Sequence, residues 1–169
     1  MFVVHAPASS ANVGPGFDCI AIALALCNET TFGLTDGELL IEIDGEGVNT
    51  LPRDSENLIY QAATALFKAA SQPMPSLHLI CKNRIPLRRG LGSSAAAIVT
   101  GLLGANAILG NPLAPLELLR IATDLDGHPD NVAAALLGGL QISTQCSNEV
   151  VSLGIDIPIN LFAAICIPD

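Results

Sequence analysis

The order of the predicted elements indicates an α+β fold in this chain of 169 residues. Strand-like segments dominate the beginning, and a helix, one further strand and several helices follow. A regular alternation of strands and helices would indicate a parallel sheet, so this order favours an α+β sandwich instead. Half of the residues are hydrophobic and 14% are charged, which allows a sizeable core and excludes a disordered chain.

The strands are predicted from β-branched and apolar residues between turn formers. Pro7 is expected to end the first strand, and Asp36-Gly37 is expected to join the second and third strands as a hairpin. The predicted strands are residues 2–7, 29–35, 38–44, 76–83, 140–145 and 160–167.

Four helices are predicted, the first from helical spacing of its apolar residues, with stop signals after the first, second and fourth. Pro73 and Pro75 follow the first helix, Gly110 follows the second, and Gly138 follows the fourth. The predicted helices are residues 57–70, 94–109, 115–125 and 129–137.

The charge distribution restricts the classes of ligand that the chain is expected to bind. A net charge of −9 argues against a broad nucleic-acid-binding surface, which needs clustered lysine and arginine. Yet four of the seven basic residues directly precede Gly90, namely Lys82, Arg84, Arg88 and Arg89. In an acidic chain this cluster indicates either a local anionic ligand or a solvated strand end.

The cysteines and the N-terminal residues indicate the cellular compartment in which the protein is expected. The five cysteines are scattered without a Cys-x-x-Cys pair, which favours free thiols in a reducing compartment over a disulfide or zinc framework. The N-terminal residues lack the pattern of a signal peptide, and the longest apolar run, IAIALALC, is shorter than the roughly 20 residues of a bilayer span. We therefore expect a cytoplasmic protein with no membrane partner.

Residues 84–97, RIPLRRGLGSSAAA, join a predicted strand to a predicted helix through a glycine-rich turn. Free amides at a helix N-terminus attract anions, and glycine lets the backbone approach them. Ser93 and Ser94 are placed either to cap the helix or to reach a phosphate and its Mg²⁺. A P-loop is excluded because no lysine follows the glycines. The match to the dinucleotide pattern is weak because RIPLRR separates the strand from the glycines.

The segment IPLRRGLGSSAAA resembles the phosphate-binding motif of the GHMP kinases, a family that includes galactokinase, mevalonate kinase and homoserine kinase. The resemblance implies the GHMP-kinase N-terminal domain, a two-layer sandwich like ribosomal protein S5 domain 2, in residues 1–146. Residues 147–169 would begin a truncated C-terminal domain. It also implies ATP and Mg²⁺, with Ser94 as a metal ligand. The implied ATP-binding residues are Pro86, Leu87, Arg88, Arg89, Gly90, Leu91, Gly92, Ser93, Ser94, Ala95, Ala96 and, beside the adenine pocket, Asn57.

Two further segments are similar to the homoserine kinase branch of this family. In residues 9–24, SSANVGPGFDCIAIAL, the similarity implies that Asn12 and Asp18 bind an amino-acid substrate, whose ammonium group a carboxylate can pair with. The alternative is a tight loop in which both side chains bond the backbone. In GHPDN, the similarity implies that His128 and Asn131 face the substrate, beyond their place at a helix start. Asn57 has a similar alternative as a plain N-cap.

The implied reaction is ATP-dependent phosphorylation of the L-homoserine hydroxyl, on the route to threonine. Asn131 and His128 are the implied catalytic residues, although an amide cannot act as a base and no dedicated base is evident. Asp126 takes the place of the family's glutamate ligand to Mg²⁺, with Asp124 as the second choice.

The alternatives are another GHMP kinase or an inactive, ligand-binding fragment. The resemblance covers only the front half of the family's architecture, so weak turnover is expected. Core surface exposed by a missing domain would favour a homo-oligomer.

Overall fold

The computed structural model describes residues 1–147, 149–158 and 160–164. These residues form an α+β fold of six strands and four helices, which confirms the predicted class. In chain order the elements are β1 (Phe2–Ala11), β2 (Ile20–Leu34), β3 (Leu40–Gly45), α1 (Leu58–Ala69), β4 (Leu77–Asn83), α2 (Ser93–Ile108), α3 (Pro115–Asp126), α4 (Pro129–Leu137), β5 (Leu140–Cys146) and β6 (Glu149–Ile155).

The long strand β2 organises the sheet. Residues 21–32 of β2 pair antiparallel with β1, with one register irregularity. The other edge of β2 is shared, because β4 pairs with residues 29–34 and β5 pairs with residues 20–22, both antiparallel. The sheet extends through β3, which is parallel to β4, and through β6, which is antiparallel to β5.

The predicted hairpin between β2 and β3 is wrong. Asp36-Gly37 does lie in a turn, where the Gly37 N–H donates to Thr35 Oγ1 at 3.1 Å. However, β4 takes the edge of β2 and separates it from β3. Since α1 connects β3 to β4, the two strands run parallel, as a crossover helix requires. The turn signal identified the turn but carried no information about which strand pairs with which.

Two strand ends and two whole strands also differ from prediction. Pro7 does not end β1, which continues past a register irregularity between Pro7 and Ser9, a bulge that accommodates proline. The strand β2 begins at Ile20 and so includes the apolar run IAIALALC. The strand β6 was not predicted at all. In the predicted strand 160–167, residues 160–164 are not in a strand, and 165–167 lie outside the described residues.

The helices agree closely with prediction, because their spacing and stop signals are local. Each begins and ends within one residue of the predicted bounds. The domain boundary predicted after residue 146 falls at the turn between β5 and β6, and it stays a prediction. In the part of the chain that the structure describes, no helix is long and apolar enough to cross a bilayer.

The core lies between the helices and one face of the sheet. Its largest fully buried side chains include Phe32 on β2, Leu66 on α1, Leu79 on β4 and Leu102 on α2. Close packing of α2 depends on two glycines. A Cβ on Gly101 would lie 2.2 Å from the Ile59 carbonyl oxygen of α1, and one on Gly104 would lie 2.2 Å from the Phe32 ring.

We expect Gly101→Ala to lower the free energy of unfolding by about 2–3 kcal/mol, because the clash is with helix backbone and α1 must move away. Gly37→Ala is the control, since a Cβ at that exposed turn would make only an ordinary contact, 3.6 Å from Thr35 Oγ1. Urea unfolding measures both. Equal small losses in the two variants would show that the α1–α2 packing is not as close as described.

Candidate active site

A cleft of about 830 Å³ opens where the glycine-rich turn meets the sheet. Residues 86–94 and the beginning of α1 form its walls. Its other lining residues include Asn28 and Thr30 on β2, Ile43 on β3 and Cys81 on β4. The volume is typical of a small-molecule site. Burial raises the pKa of the Cys81 thiol, so this part of the lining is neutral.

The glycine-rich turn delivers an uncapped helix N-terminus to the cleft. Gly90 and Gly92 have φ of +69° and +63°, a left-handed conformation that favours glycine. Gly92 is the N-cap of α2, and no side chain bonds to the first-turn amides. Ser93 and Ser94 therefore do not cap the helix. The free amides and the positive end of the helix dipole form an anion-binding site.

Most of the residues predicted to contact ATP lie together along the cleft, and three of them differ from the rest. Residues 86–94 all line the cleft. Ala95 and Ala96 are fully buried in the core, so their side chains do not reach it. Asn57 lines the cleft, but its side chain is already engaged. Its Oδ1 accepts from the Ile59 amide at 3.0 Å and its Nδ2 donates to the Pro52 carbonyl at 2.8 Å.

We expect Asn57→Ala to cost about 1 kcal/mol of stability through loss of the helix cap. Asn57→Ser keeps an oxygen that can accept from Ile59 and removes only the bond to Pro52, so it should cost less. Thermal unfolding and nucleotide titration of both variants separate cap from ligand contact. A loss of nucleotide affinity in both, with unchanged stability, would contradict the capping role.

The two predicted metal ligands lie near each other. Ser94 Oγ, in the first turn of α2, is 3.5 Å from Asp126 Oδ1 at the end of α3. Gly127, with φ of +92°, turns the chain directly from α3 towards α4. Asp124, the second choice, is exposed on α3. The geometry therefore favours Asp126 as the partner of Ser94.

The surroundings of Asp126 disfavour the ionised form of its carboxyl group. Burial raises the pKa of its carboxyl group, and the nearby carboxylate of Asp130 raises it further. His128 and the hydrogen bond from Ser94 act in the opposite direction. A carboxylate that is partly desolvated beside a second carboxylate is a favourable place for a cation.

The N-terminus of α4 brings Asn131 into the same cleft. Asn131 Oδ1 accepts a hydrogen bond from Ser9 Oγ on β1 at 2.8 Å. The Ser9 amide donates to the Leu91 carbonyl of the glycine-rich turn at 3.1 Å. Ser9 was not among the predicted site residues. It lies in the quoted segment 9–24, but its partner is 122 positions away and no local pattern indicates the contact.

The loop 12–19 holds the other predicted substrate residues. Asn12 and Asp18 both have positive φ, and Asn12 Oδ1 accepts from the Asp18 amide at 2.8 Å. The tight-loop interpretation of Asn12 is therefore correct, and Asn12 also lines the cleft. Asp18 and His128 are exposed and are not among the lining residues. The side chain of His128 does not cap α4 either.

Asn28 is a second residue that the sequence did not indicate. From β2 its Oδ1 accepts from the amides of Arg84 and Ile85 at 2.8 and 2.9 Å, and it is buried. It thus anchors the segment that leads into the glycine-rich turn. The basic cluster divides around this point. Arg88 and Arg89 line the cleft, whereas Lys82 pairs with Glu29 at 2.9 Å.

This combination of fold and glycine-rich turn agrees with comparison to known proteins. Residues 57–139, from the N-cap of α1 to the start of β5, match the family described as GHMP kinases N terminal domain. The chain carries this domain and belongs to the GHMP kinase family, which confirms the resemblance seen in its motifs.

Within that family the chain is similar to homoserine kinases over nearly its whole length. It is 52% identical over 158 residues to the homoserine kinase of Carboxydothermus hydrogenoformans, covering 94% of this chain and 52% of the relative. It is 46% identical over 168 residues to that of Moorella thermoacetica, covering 99% and 56%. The crystal structure of homoserine kinase from Cytophaga hutchinsonii matches with a TM-score of 0.79 at 28% identity, covering 94% of this chain and 52% of that one. The chain thus spans about half the length of the curated relatives it matches.

Proposed function

We propose that this chain acts in the ATP-dependent phosphorylation of L-homoserine, giving ADP and O-phospho-L-homoserine on the route to threonine. The observation that carries the proposal is the uncapped N-terminus of α2, which opens into a cleft of about 830 Å³ beside Ser94 and Asp126. Similarity to homoserine kinases at 52% and 46% identity supplies the substrate. Phosphoryl transfer needs mainly positioning and charge stabilisation, which such a site provides.

ATP would bind with its phosphates on the glycine-rich turn and the first-turn amides of α2. Arg88 and Arg89, which line the cleft, would add positive charge in an otherwise acidic chain. Asn28 would act indirectly, by holding the backbone of Arg84 and Ile85.

The oxygens of Ser94 and Asp126 fit Mg²⁺, because Mg²⁺ prefers oxygen ligands and keeps several waters. Within the described residues no three His, Cys, Asp or Glu side chains group into a metal site, so phosphate oxygens and water would complete the coordination. When bound, the cation would neutralise charge on the transferred phosphoryl group. Its presence would also offset the mutual repulsion of Asp126 and Asp130.

Asn12, Asp18, His128 and Asn131 would bind homoserine. The carboxylate of Asp18 would pair with the ammonium group of the amino acid. Asn131 would donate a hydrogen bond near the reacting hydroxyl, and since an amide cannot take up the proton, catalysis would rest on positioning. His128 would be a further titratable group beside the substrate.

We further expect the protein to be cytoplasmic and to self-associate. The exposed apolar side chains Val151 and Leu153 on β6 are candidates for the contact.

The test measures coupled ADP release with homoserine, mevalonate and galactose, on this chain and on a version extended to the length of its relatives. Homoserine-dependent ADP release is expected from the longer protein. Its absence would refute the proposal. Because the chain spans about half of its relatives, a nucleotide-binding fragment is the second candidate. MgATP binding by this chain without turnover would support it.

A further inference from the structure

We infer that Ser9 is a positioning residue, which orients the amide of Asn131 so that its Nδ2 hydrogens are the groups offered to the reactants. The inference rests on the proposed function, because it concerns how Asn131 acts on the alcohol and the phosphoryl group. Ser9 itself is fully buried and touches neither.

Hydrogen-bond partners decide the orientation of an asparagine side chain, because its oxygen and NH₂ group have nearly the same shape. Ser9 Oγ lies 2.8 Å from Asn131 Oδ1 and donates to it. On the other side, Asp130 Oδ1 lies 3.5 Å from Asn131 Nδ2 and can only accept when ionised. The Asp130 carboxylate therefore favours the orientation with the oxygen towards β1, and the Ser9 hydroxyl holds that oxygen by donating to it.

This orientation suits phosphoryl transfer. The transferred group carries negative charge on its oxygens, and these require donors around them. An Asn131 side chain rotated by half a turn would present its oxygen instead and repel the same charge. Loss of the Ser9 hydroxyl removes the hydrogen bond that holds the Asn131 oxygen in the first orientation.

Ser9 also links Asn131 to the nucleotide side of the cleft. Its amide donates to the Leu91 carbonyl, and its Oγ would lie 2.0 Å from a Cβ on Gly92. The same small residue therefore contacts the glycine-rich turn through its backbone and Asn131 through its side chain. A shift of either element is transmitted to the other through this contact.

The direct test is side-chain amide NMR on this chain, with Ser9→Ala and Ser9→Cys as a pair. Both lack a strong donor, but cysteine keeps the volume. Asn131→Ala assigns the Asn131 resonance. We expect the Asn131 Nδ2 hydrogens to exchange about tenfold faster in both variants. The Asn106 amide, bonded to Leu113 at 3.1 Å through both of its ends, is the control and should not change.

Three outcomes would overturn the inference. Unchanged exchange at Asn131 in both variants would show that Ser9 does not hold the amide. A change in Ser9→Ala alone would assign the effect to packing rather than to the hydroxyl. Equal acceleration at Asn106 would indicate general loosening of the fold.

Kinetics of the extended protein provide an independent readout. Ser9→Ala should lower kcat by on the order of 10- to 100-fold with little change in KM for ATP, since a small misplacement near the reacting atoms is costly. In an Asn131→Ala background the same change should have little further effect. Full additivity would overturn the inference. If the extended protein shows no homoserine-dependent activity, the proposed function fails, while the NMR result still decides the role of Ser9.

Discussion

Alanine at Gly92 is expected to lower the free energy of unfolding by about 2–5 kcal/mol and to weaken nucleotide binding. Two costs add. A left-handed conformation, here with φ of +63°, costs a non-glycine residue about 1–2 kcal/mol. The new Cβ would also lie 2.0 Å from Ser9 Oγ and 3.2 Å from Asn131 Oδ1, and such overpacking costs about 1–3 kcal/mol. Relief of the clash requires β1, the turn or α4 to move.

Gly90→Ala is the matched control for this prediction. Gly90 lies in the same turn with φ of +69°, and a Cβ there would meet nothing within 4 Å. It carries the conformational cost without the clash, so the difference between the two variants isolates the contact with Ser9. Urea unfolding gives the stabilities, and titration with ATP gives the affinities, which should fall roughly tenfold in Gly92→Ala, equivalent to about 1.4 kcal/mol. Equal stability losses in both variants would contradict the close approach of Gly92 to Ser9.

Local features of the fold could be predicted from sequence because their causes are local. Helical spacing in α1 and the stop signals after α1, α2 and α4 indicated where these helices lie. The glycine-rich turn was recognisable because uncapped amides and left-handed glycines depend on neighbouring residues alone. Strand pairing, in contrast, depends on residues that are far apart in the sequence. Nothing near Asp36-Gly37 reveals that β4, which follows a whole helix later, takes the edge of β2.

The candidate site, like the fold, could be predicted only where its features are local in the sequence. Residues 86–94 could be expected to lie together because they are contiguous in the sequence. The contacts that hold the motifs together were not found, because Ser9 and Asn131 are 122 positions apart, and Asn28 and Arg84 are 56 apart. Neither Ser9 nor Asn28 differs in type from residues that merely fill a strand. Their roles become visible only when the chain has folded.

The proposed role of Asp126 as a metal ligand opposes its effect on the stability of the fold. Its burial beside Asp130 raises the pKa of its carboxyl group, so the folded state binds the proton more tightly than the unfolded state does. The stability that comes from the protonated form is complete below the ordinary aspartate pKa. It is lost as the pH rises through the raised value. Above the raised pKa the domain carries an ionised, partly desolvated carboxylate that weakens the fold without its cation.

Asp126→Asn is accordingly expected to stabilise the nucleotide-free domain at neutral pH while removing the benefit of Mg²⁺. Asparagine resembles the protonated carboxyl group, so its advantage over aspartate should shrink as the pH falls through the raised pKa of Asp126 and should be gone below the ordinary aspartate pKa. In the extended protein, turnover should fall by on the order of 100-fold. Melting temperatures from pH 4 to 8, and ATP titrations with Mg²⁺ or with EDTA, measure the two effects separately.

Asp124→Asn separates a site effect from a charge effect. It removes the same single charge from a chain of net charge −9, at an exposed position two residues away on α3. If the gain in stability came only from lower overall repulsion, both variants would share it and neither would lose the response to Mg²⁺. Opposite changes confined to Asp126→Asn would mean that one carboxylate weakens the empty fold and binds the metal. A loss of the Mg²⁺ response in Asp124→Asn alone would transfer the ligand role to Asp124, despite the 3.5 Å approach of Ser94 to Asp126.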